Sequence, residues 1–494
     1  MHNKKNFVSS LIFQFIHTIY GLIIPKLIIT NFGSEVNGLV SSITQFLSFI
    51  SLLEGGLGAV VLAELYKPIE EKNNERINRI LTECQNFFTK LTICFAIYTL
   101  LLSIIYSVAV RDQFDIFFTS SVVLILSLTT VAQYLFSITF RLYLQASQKL
   151  YLVNNISSLT LVGNIVLSIL TIKVFPDIRG MILFASLLFF IQPLLYSYYI
   201  GNKVKIKRGL KVRSDKLVLC NRWSGFAQNM AHYVNTNTDI VLITLFSTFE
   251  NVSVYSVYLM AVNAIRNILV SVTSSYQSAL GKYIAQKQEN RLKEHFFFFL
   301  YGIWSVCIVL FSTCLLLSNQ FVKLYVAGVN DANYYQPTFA LIIIIATCIY
   351  CMREPIRFLI LSAGKFKETN FGSVMEAILN LSISLFLIHK YGLVGVATGT
   401  LIAISYRMVY FLLFLKKNII YTPINYYILP MIKATVIIAI NILVYYIVDI
   451  EVSSVISFIV YGIIISLAEI VLVIVLFLGP TRSKEYLKLL INKA

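Results

Sequence analysis

The residues able to do chemistry in this chain are ionisable groups placed where water is scarce. Glu54, Asp239, Arg266, Arg353, Glu354, Arg357, Glu376, Arg407 and Glu469 all lie deep within long apolar runs. An ionised side chain in hydrocarbon costs several kcal/mol unless it faces a cavity or a partner, so such groups mark ion pairs, binding sites or proton paths. Arg353 and Arg357 share a helix face at i, i+4, beside Glu354 and the kinking Pro355. This cluster, with Glu54 and Arg407, suits substrate access, closure of a cavity, or interhelical ion pairing. His17 and His232, which follow Gln14 and Gln228 by three and four residues, can carry a proton near neutral pH. Lys26, Arg222 and Lys433 fall within two turns of the end of an apolar run, where a long side chain reaches the headgroups.

The elements that position these groups follow from composition. The chain has 494 residues, of which 58% are hydrophobic and 13% charged, with a mean hydropathy of +0.79. An ordinary soluble domain carries about 25% charged residues, so a soluble reading fails. A helix needs about 20 mostly apolar residues to cross a bilayer. The sequence supplies fourteen such runs, the first over residues 7–30 and the last over 455–478. The expected class is an all-α polytopic membrane protein. Gln14 precedes Pro25 by the interval that separates Gln228 from Asp239, which suggests two six-helix lobes. The lobes would be residues 1–201 and 217–417, joined by a basic connector over 202–216, with spans 13 and 14 and a tail in 418–494. Parallel repeats of this kind place a substrate path between them.

The net charge of +17 has a topological reading. Most basic residues fall in loops on one side, the largest cluster being Lys203, Lys205, Lys207, Arg208, Lys211, Arg213 and Lys216. Basic loops stay cytoplasmic, which places both termini inside and makes anionic lipid, not nucleic acid, the partner of the excess charge. The loops are too short for a catalytic domain, and no enzyme is expected. Residues 64–90 carry Ile77, Ile80, Leu81, Cys84, Phe87 and Phe88 at helical spacing, which predicts an amphipathic helix lying on the membrane surface. Cys348 and Cys351 have redox-motif spacing, but their apolar setting makes them small packing residues. No Gly-rich phosphate loop is present and no cofactor is implied, so coupling to an ion gradient, Na+ or H+, is the natural energy source.

Two stretches carry a family resemblance. The first is Asn31-Phe32-Gly33-Ser34-Glu35-Val36-Asn37-Gly38-Leu39 followed by Leu53-Glu54-Gly55-Gly56-Leu57-Gly58. The second runs from Ala363-Gly364-Lys365-Phe366-Lys367-Glu368-Thr369 through Glu376-Ala377 and Leu379-Asn380 to Lys390-Tyr391-Gly392-Leu393-Val394-Gly395-Val396-Ala397-Thr398-Gly399-Thr400, with Arg407 after it. The chain resembles bacterial polysaccharide flippases of the O-antigen type, the oligosaccharidyl-lipid transporters of the multidrug/oligosaccharidyl-lipid/polysaccharide exporter superfamily. That resemblance implies a V-shaped pair of lobes moving an undecaprenyl-pyrophosphate-linked oligosaccharide across the bacterial cytoplasmic membrane by alternating access, for O-antigen, capsule or exopolysaccharide synthesis. It implies cations for the pyrophosphate, for which Arg266, Lys26 and Arg222 are the candidates. It implies hydroxyl and amide groups for the sugars, for which Gln14, Gln228, Asn229, Asn235, Asn237 and Tyr233 qualify. A portal for the lipid tail would lie beside spans 1 and 8, sheltered by spans 13 and 14. Carboxylates of the C-terminal lobe bind the coupling cation in related transporters; here Asp239, Glu376 and Asn380 are the counterparts, beside the proton candidates His17 and His232. A polysaccharide polymerase and a chain-length regulator are the implied protein partners.

The nearest rival is a drug or cation exporter of the same superfamily, whose cavity would favour acidic and aromatic groups. A membrane glycosyltransferase or polymerase would want a large external loop bearing catalytic groups. A scaffold or channel fits the composition but explains buried opposite charges less well.

Overall fold

A computed structural model describes residues 2–54, 57–201, 226–365, 367–423, 425–448 and 452–479. Its helices are α1 (His2–Phe32), α2 (Ser34–Leu47), α3 (Ile50–Glu54), α4 (Leu57–Glu70), α5 (Asn74–Ala109), α6 (Ile116–Ala132), α7 (Ile138–Ala146), α8 (Leu150–Val174), α9 (Ile178–Leu188) and α10 (Ile191–Ile200). They continue as α11 (Phe226–Phe246), α12 (Phe249–Ser275), α13 (Gln277–Ala285), α14 (Glu289–Tyr325), α15 (Pro337–Ser362), α16 (Asn370–Asn418), α17 (Asn425–Ile447) and α18 (Val455–Leu472). No strand occurs among the described residues. The basic connector and Arg222 lie outside them.

Among the described residues, eleven helical stretches are long and apolar enough to cross a membrane. One of them, Lys367–Asn418, is two passes, because Gly392 (φ 53°, ψ −127°) turns the chain in its middle. A positive φ of that kind suits glycine alone. Beyond the turn Gly399 lies against Ser384, and Arg407 reaches back to Thr369 and Ser373, so the two halves of α16 run antiparallel. Counting that stretch twice and adding the interrupted α2–α4 and α11 gives the expected fourteen passes. Their outward faces carry bare apolar side chains such as Ile104, Phe117, Phe386 and Ile456, as a lipid-facing surface requires.

The close approach at Gly399 leaves no room for a Cβ, which would meet Ser384 Oγ and backbone. Gly399→Val is expected to destabilise the hairpin by about 1–3 kcal/mol or more. The check is the yield and melting temperature of detergent-solubilised protein; wild-type values would contradict the packing described.

The expected surface helix takes a different form. α5 is one continuous helix of 36 residues, about 54 Å long, so its first turns extend past the hydrocarbon layer. Ile77, Ile80, Leu81, Cys84 and Phe88 are buried against protein, not laid on lipid. Gln85 fixes this stretch, donating to Leu135 O (2.8 Å) and accepting from Thr139 (2.8 Å). The apolar period was real, but α4 and α7 cover it. Lys433 likewise turns inward, its Nζ donating to Phe477 O at 3.3 Å.

The described chain separates into two compact units, Met1–Tyr233 and Val234–Ala494. Within each, the same path is built. Lys72 (φ 52°) and Lys287 (φ 53°) make the turns into the long helices α5 and α14. After α7 the amides of Ser147, Gln148 and Lys149 donate to the carbonyls of Tyr143, Gln145 and Leu144; after α15 those of Ala363, Gly364 and Lys365 donate to Leu359, Leu361 and Ile360. Gly180 faces Thr171 as Gly395 faces Leu387. Ser168 donates to Asn164 as Ser384 donates to Asn380. Counting from these landmarks, Ser137, Thr160 and Gln192 in the first unit stand where Arg353, Glu376 and Arg407 stand in the second. In the second unit α17 and α18 pack on α14, where buried Asn441 bonds both Ser312 (3.1 Å) and Glu469 (3.2 Å).

Candidate functional site

Asp239 sits on α11 with 5% of its surface exposed. Its Oδ2 accepts from the Tyr255 hydroxyl of α12 (2.6 Å) and from the Thr400 hydroxyl of α16 (2.7 Å). Among the described residues its Oδ1 is buried without a close hydrogen bond, and the Asn380 side chain also faces the carboxylate. Thr400 also lies 3.4 Å from Asn380 Oδ1, which accepts from Ser384 at 3.0 Å, and the Ser384 hydroxyl reaches Val396 O at 3.2 Å. A carboxylate, an amide oxygen, three hydroxyls and a backbone carbonyl thus converge in one buried place. All are hard oxygen donors, the set that suits Na+, while the bare Oδ1 equally suits a proton. The hairpin at Gly392 makes the cluster possible by bringing Thr400 and Val396 beside Asn380 and Ser384.

One helical turn before Asn380, the same face of α16 carries an ionic network. Glu376 accepts from Arg353 (Nη1, 2.5 Å) and pairs with Arg407 (Nε, 3.6 Å) through its other oxygen. Arg407 makes closer bonds to Thr369 O (3.0 Å) and Ser373 Oγ (2.5 Å), and its guanidinium lies 4.2 Å from the Phe411 ring centre. Arg357 pairs with Glu354 by Nε (2.9 and 3.0 Å) and Nη2 (2.7 Å), so Arg353 and Arg357, though on one face, take different carboxylates. The helix continues through Pro355. Sequence reasoning placed Glu376 beside Asp239 and Asn380 as a cation ligand. In the structure each Glu376 oxygen faces a guanidinium, and the groups bonded to Asp239 are the hydroxyls of Thr400 and Tyr255.

Arg266, in the middle of α12, is partly exposed and stacks on the Tyr350 ring at 5.6 Å. Arg353 lies over the same ring at 4.5 Å. Among the described residues no ion pair involves Arg266. Tyr350 thus links the guanidinium of α12 to the network on α15 and α16 by cation–π contact.

The first-unit candidates are more dispersed. Glu54 accepts from Tyr134 at 3.1 Å. Tyr233 shares a hydrogen bond with Ser48 (2.7 Å) and packs on Phe49 (5.3 Å). Gln14 has a buried Nε2 with no partner, His17 lies beside Phe13 (5.9 Å), and Lys26 is half-buried on α1. Asn237 is half-buried on α11. The side chains of Gln228, Asn229, His232 and Asn235 lie outside the described residues. Sequence reasoning missed Tyr255, Tyr350, Ser384 and the Val396 carbonyl; Thr400 was within the quoted motif but had no role assigned.

This architecture has solved counterparts. A lipid II flippase, MurJ, in an inward closed conformation superposes with a TM-score of 0.70 at 14% identity, covering 94% of this chain and 97% of that one. An inward-facing multidrug resistance MATE family transporter of the MOP superfamily gives 0.58 at 13% identity over 81% and 96%. A eukaryotic MATE transporter gives 0.57 at 12% identity over 84% and 95%. No protein-family model and no curated protein sequence matches the chain. At these identities the likeness is one of fold, and the chain is a multi-pass α-helical membrane protein with the fold of MOP-superfamily transporters.

Proposed function

We propose that this protein is a flippase that carries a polyprenyl-pyrophosphate-linked oligosaccharide repeat unit from the cytoplasmic to the outer leaflet of a bacterial cytoplasmic membrane, for surface polysaccharide synthesis. The observation that supports this reading above a drug exporter is Arg266: a mid-membrane guanidinium, partly exposed, with no carboxylate partner among the described residues. An organic cation would be repelled there. A pyrophosphate supplies the charge that a guanidinium at membrane depth wants, in a geometry suited to paired hydrogen bonds. Lys26 and Arg222 would add charge, and Gln14, Gln228, Asn229, Asn235, Asn237 and Tyr233 would meet sugar hydroxyls. Moving an anion outward against a negative interior releases about 2.3 kcal/mol per charge per 100 mV, so the membrane potential favours export. The Asp239 cluster would add a coupling cation, held by Asp239, Thr400, Asn380, Ser384 and Val396 O, with Na+ the best fit to that donor set. His17 and His232 remain candidates for a proton path. Glu54, paired with Tyr134, belongs with the gating groups.

Ligand class is tested on purified protein by thermal shift. Polyprenyl pyrophosphate should raise the melting temperature and a lipophilic organic cation should not. The reverse result would assign the protein to drug export.

A further inference from the structure

The arginine network contains two guanidinium groups for one carboxylate, and they hold it unequally. Arg353 grips Glu376 at 2.5 Å, while Arg407 stands at 3.6 Å and satisfies itself on Thr369 O and Ser373. Arg353 nevertheless keeps a buried Nε with no hydrogen-bond partner among the described residues, and both arginines are at most 5% exposed. Burying an uncompensated positive charge is costly, and the fold does not require it. The first unit shows this within the same chain. Ser137, Thr160 and Gln192 stand at the three corresponding positions, all buried and all neutral, on helices that follow the same path. An arrangement that one unit builds without charge and the other with three charges calls for a role beyond packing.

The position of the network suggests the role. Asn380 is one turn from Glu376 on the first half of α16, and Thr400 is two turns, about 10 Å, from Arg407 on the second half. Both ends of the cation cluster are therefore rigidly connected to both ends of the ion pair. A cation at Asp239 would draw on the free lone pairs of Thr400, whose hydroxyl hydrogen is directed at Asp239, and so would pull on the second half of α16. On the far side, Arg353 shares the Tyr350 ring with Arg266.

We propose that Glu376 is a counter-ion shared between Arg353 and Arg407, and that cation binding at Asp239 and Thr400 shifts it toward Arg407, freeing Arg353 to join Arg266 in holding an anionic head. The inference rests on the flippase reading above. Arg353 and Glu376 act as positioning residues for the anion contact, and Arg407 offers the alternative pairing, the two-state element that coupling between sites demands. By reciprocity the anion strengthens cation binding by the same factor. Coupling of this kind is worth roughly tenfold in affinity.

The test is the affinity of polyprenyl pyrophosphate for purified protein in detergent, with Na+ and with Na+ replaced by choline. Wild type should bind roughly tenfold tighter in Na+. Arg407→Gln, which installs the residue found at Gln192, leaves Glu376 locked on Arg353 and should bind weakly in both media. Glu376→Gln releases Arg353 permanently and should bind tightly in both. The two variants thus move in opposite directions and each alone is decisive. Retention of tenfold Na+ dependence in either, the same direction of change in both, or loss of folded protein in both would overturn the shared counter-ion. A wild type that binds the probe without any Na+ effect would overturn it as well, whereas a wild type that binds no polyprenyl pyrophosphate would overturn the flippase reading itself.

Discussion

Arg266→Ala is expected to abolish export of surface polysaccharide in a strain lacking the native copy, while the variant protein remains in the membrane at wild-type amounts. The reasoning is local. Arg266 stacks on Tyr350 and has no ion pair among the described residues, so its removal leaves no carboxylate stranded and should spare the fold. What it removes is a charge-assisted, paired contact to a phosphate, with an expected affinity loss of about 10- to 100-fold. Arg266→Lys keeps the charge but loses the planar fork and should retain part of the activity. The measurements are surface polymer by immunoblot and accumulation of lipid-linked repeat unit inside the cell. Normal polymer from the Ala variant would remove Arg266 from the site.

Asp239→Asn is expected to erase the response to the coupling cation. In wild type, Na+ bound to the folded state alone should raise the melting temperature in proportion to the logarithm of its concentration above saturation. Asn keeps the size of the side chain and still accepts from Tyr255 and Thr400, but it removes the carboxylate charge and puts nitrogen or a second neutral group where Oδ1 stands bare. Na+ affinity should fall by about 100-fold or more. The readout is the Na+ dependence of melting temperature against a choline control. A variant that keeps the wild-type Na+ shift would place the cation elsewhere. A wild type whose stability ignores Na+ but whose flipping follows pH, with that pH dependence lost in the Asn variant, would make the coupling ion a proton.

Much of the fold was legible because bilayer thickness sets helix length, and the apolar runs are long. The turn at Gly392 is the clearest case: glycine in a Lys-Tyr-Gly-Leu string between two apolar runs marks a reversal, although helix continues on both sides of it. The surface helix predicted over Ile77–Phe88 failed for an instructive reason. An apolar stripe specifies that something covers it, and sequence does not say whether lipid or protein does so. Charges in apolar runs singled out Asp239, Arg353, Glu376 and Arg407, all of them buried, and the family resemblance grouped Glu376 with Asp239 and Asn380. Two residues on one face a turn apart can serve different neighbours, and which neighbour wins depends on Arg353 and Arg407 arriving from other helix segments. Tyr255 and Tyr350 had no signal at all among 30 tyrosines in a chain where aromatics crowd every span. The repeat between the units was faintly visible in Gln14 and Gln228, but only backbone landmarks such as Lys72 and Lys287 fix its register well enough to pair Thr160 with Glu376.

Movement of a lipid-linked anionic oligosaccharide across a membrane by this protein is measured directly as flipping in proteoliposomes. A fluorescent polyprenyl-pyrophosphate oligosaccharide is placed in both leaflets, and the fraction reachable by an added membrane-impermeant quencher is followed in time. Vesicles containing the wild-type protein should equilibrate the label within minutes, faster with a membrane potential that draws anions toward the quencher-accessible leaflet, and Arg266→Ala vesicles should behave like protein-free ones. Equal slow rates in wild-type, Arg266→Ala and protein-free vesicles, together with uptake of a lipophilic organic cation by the wild type, would contradict the flippase reading.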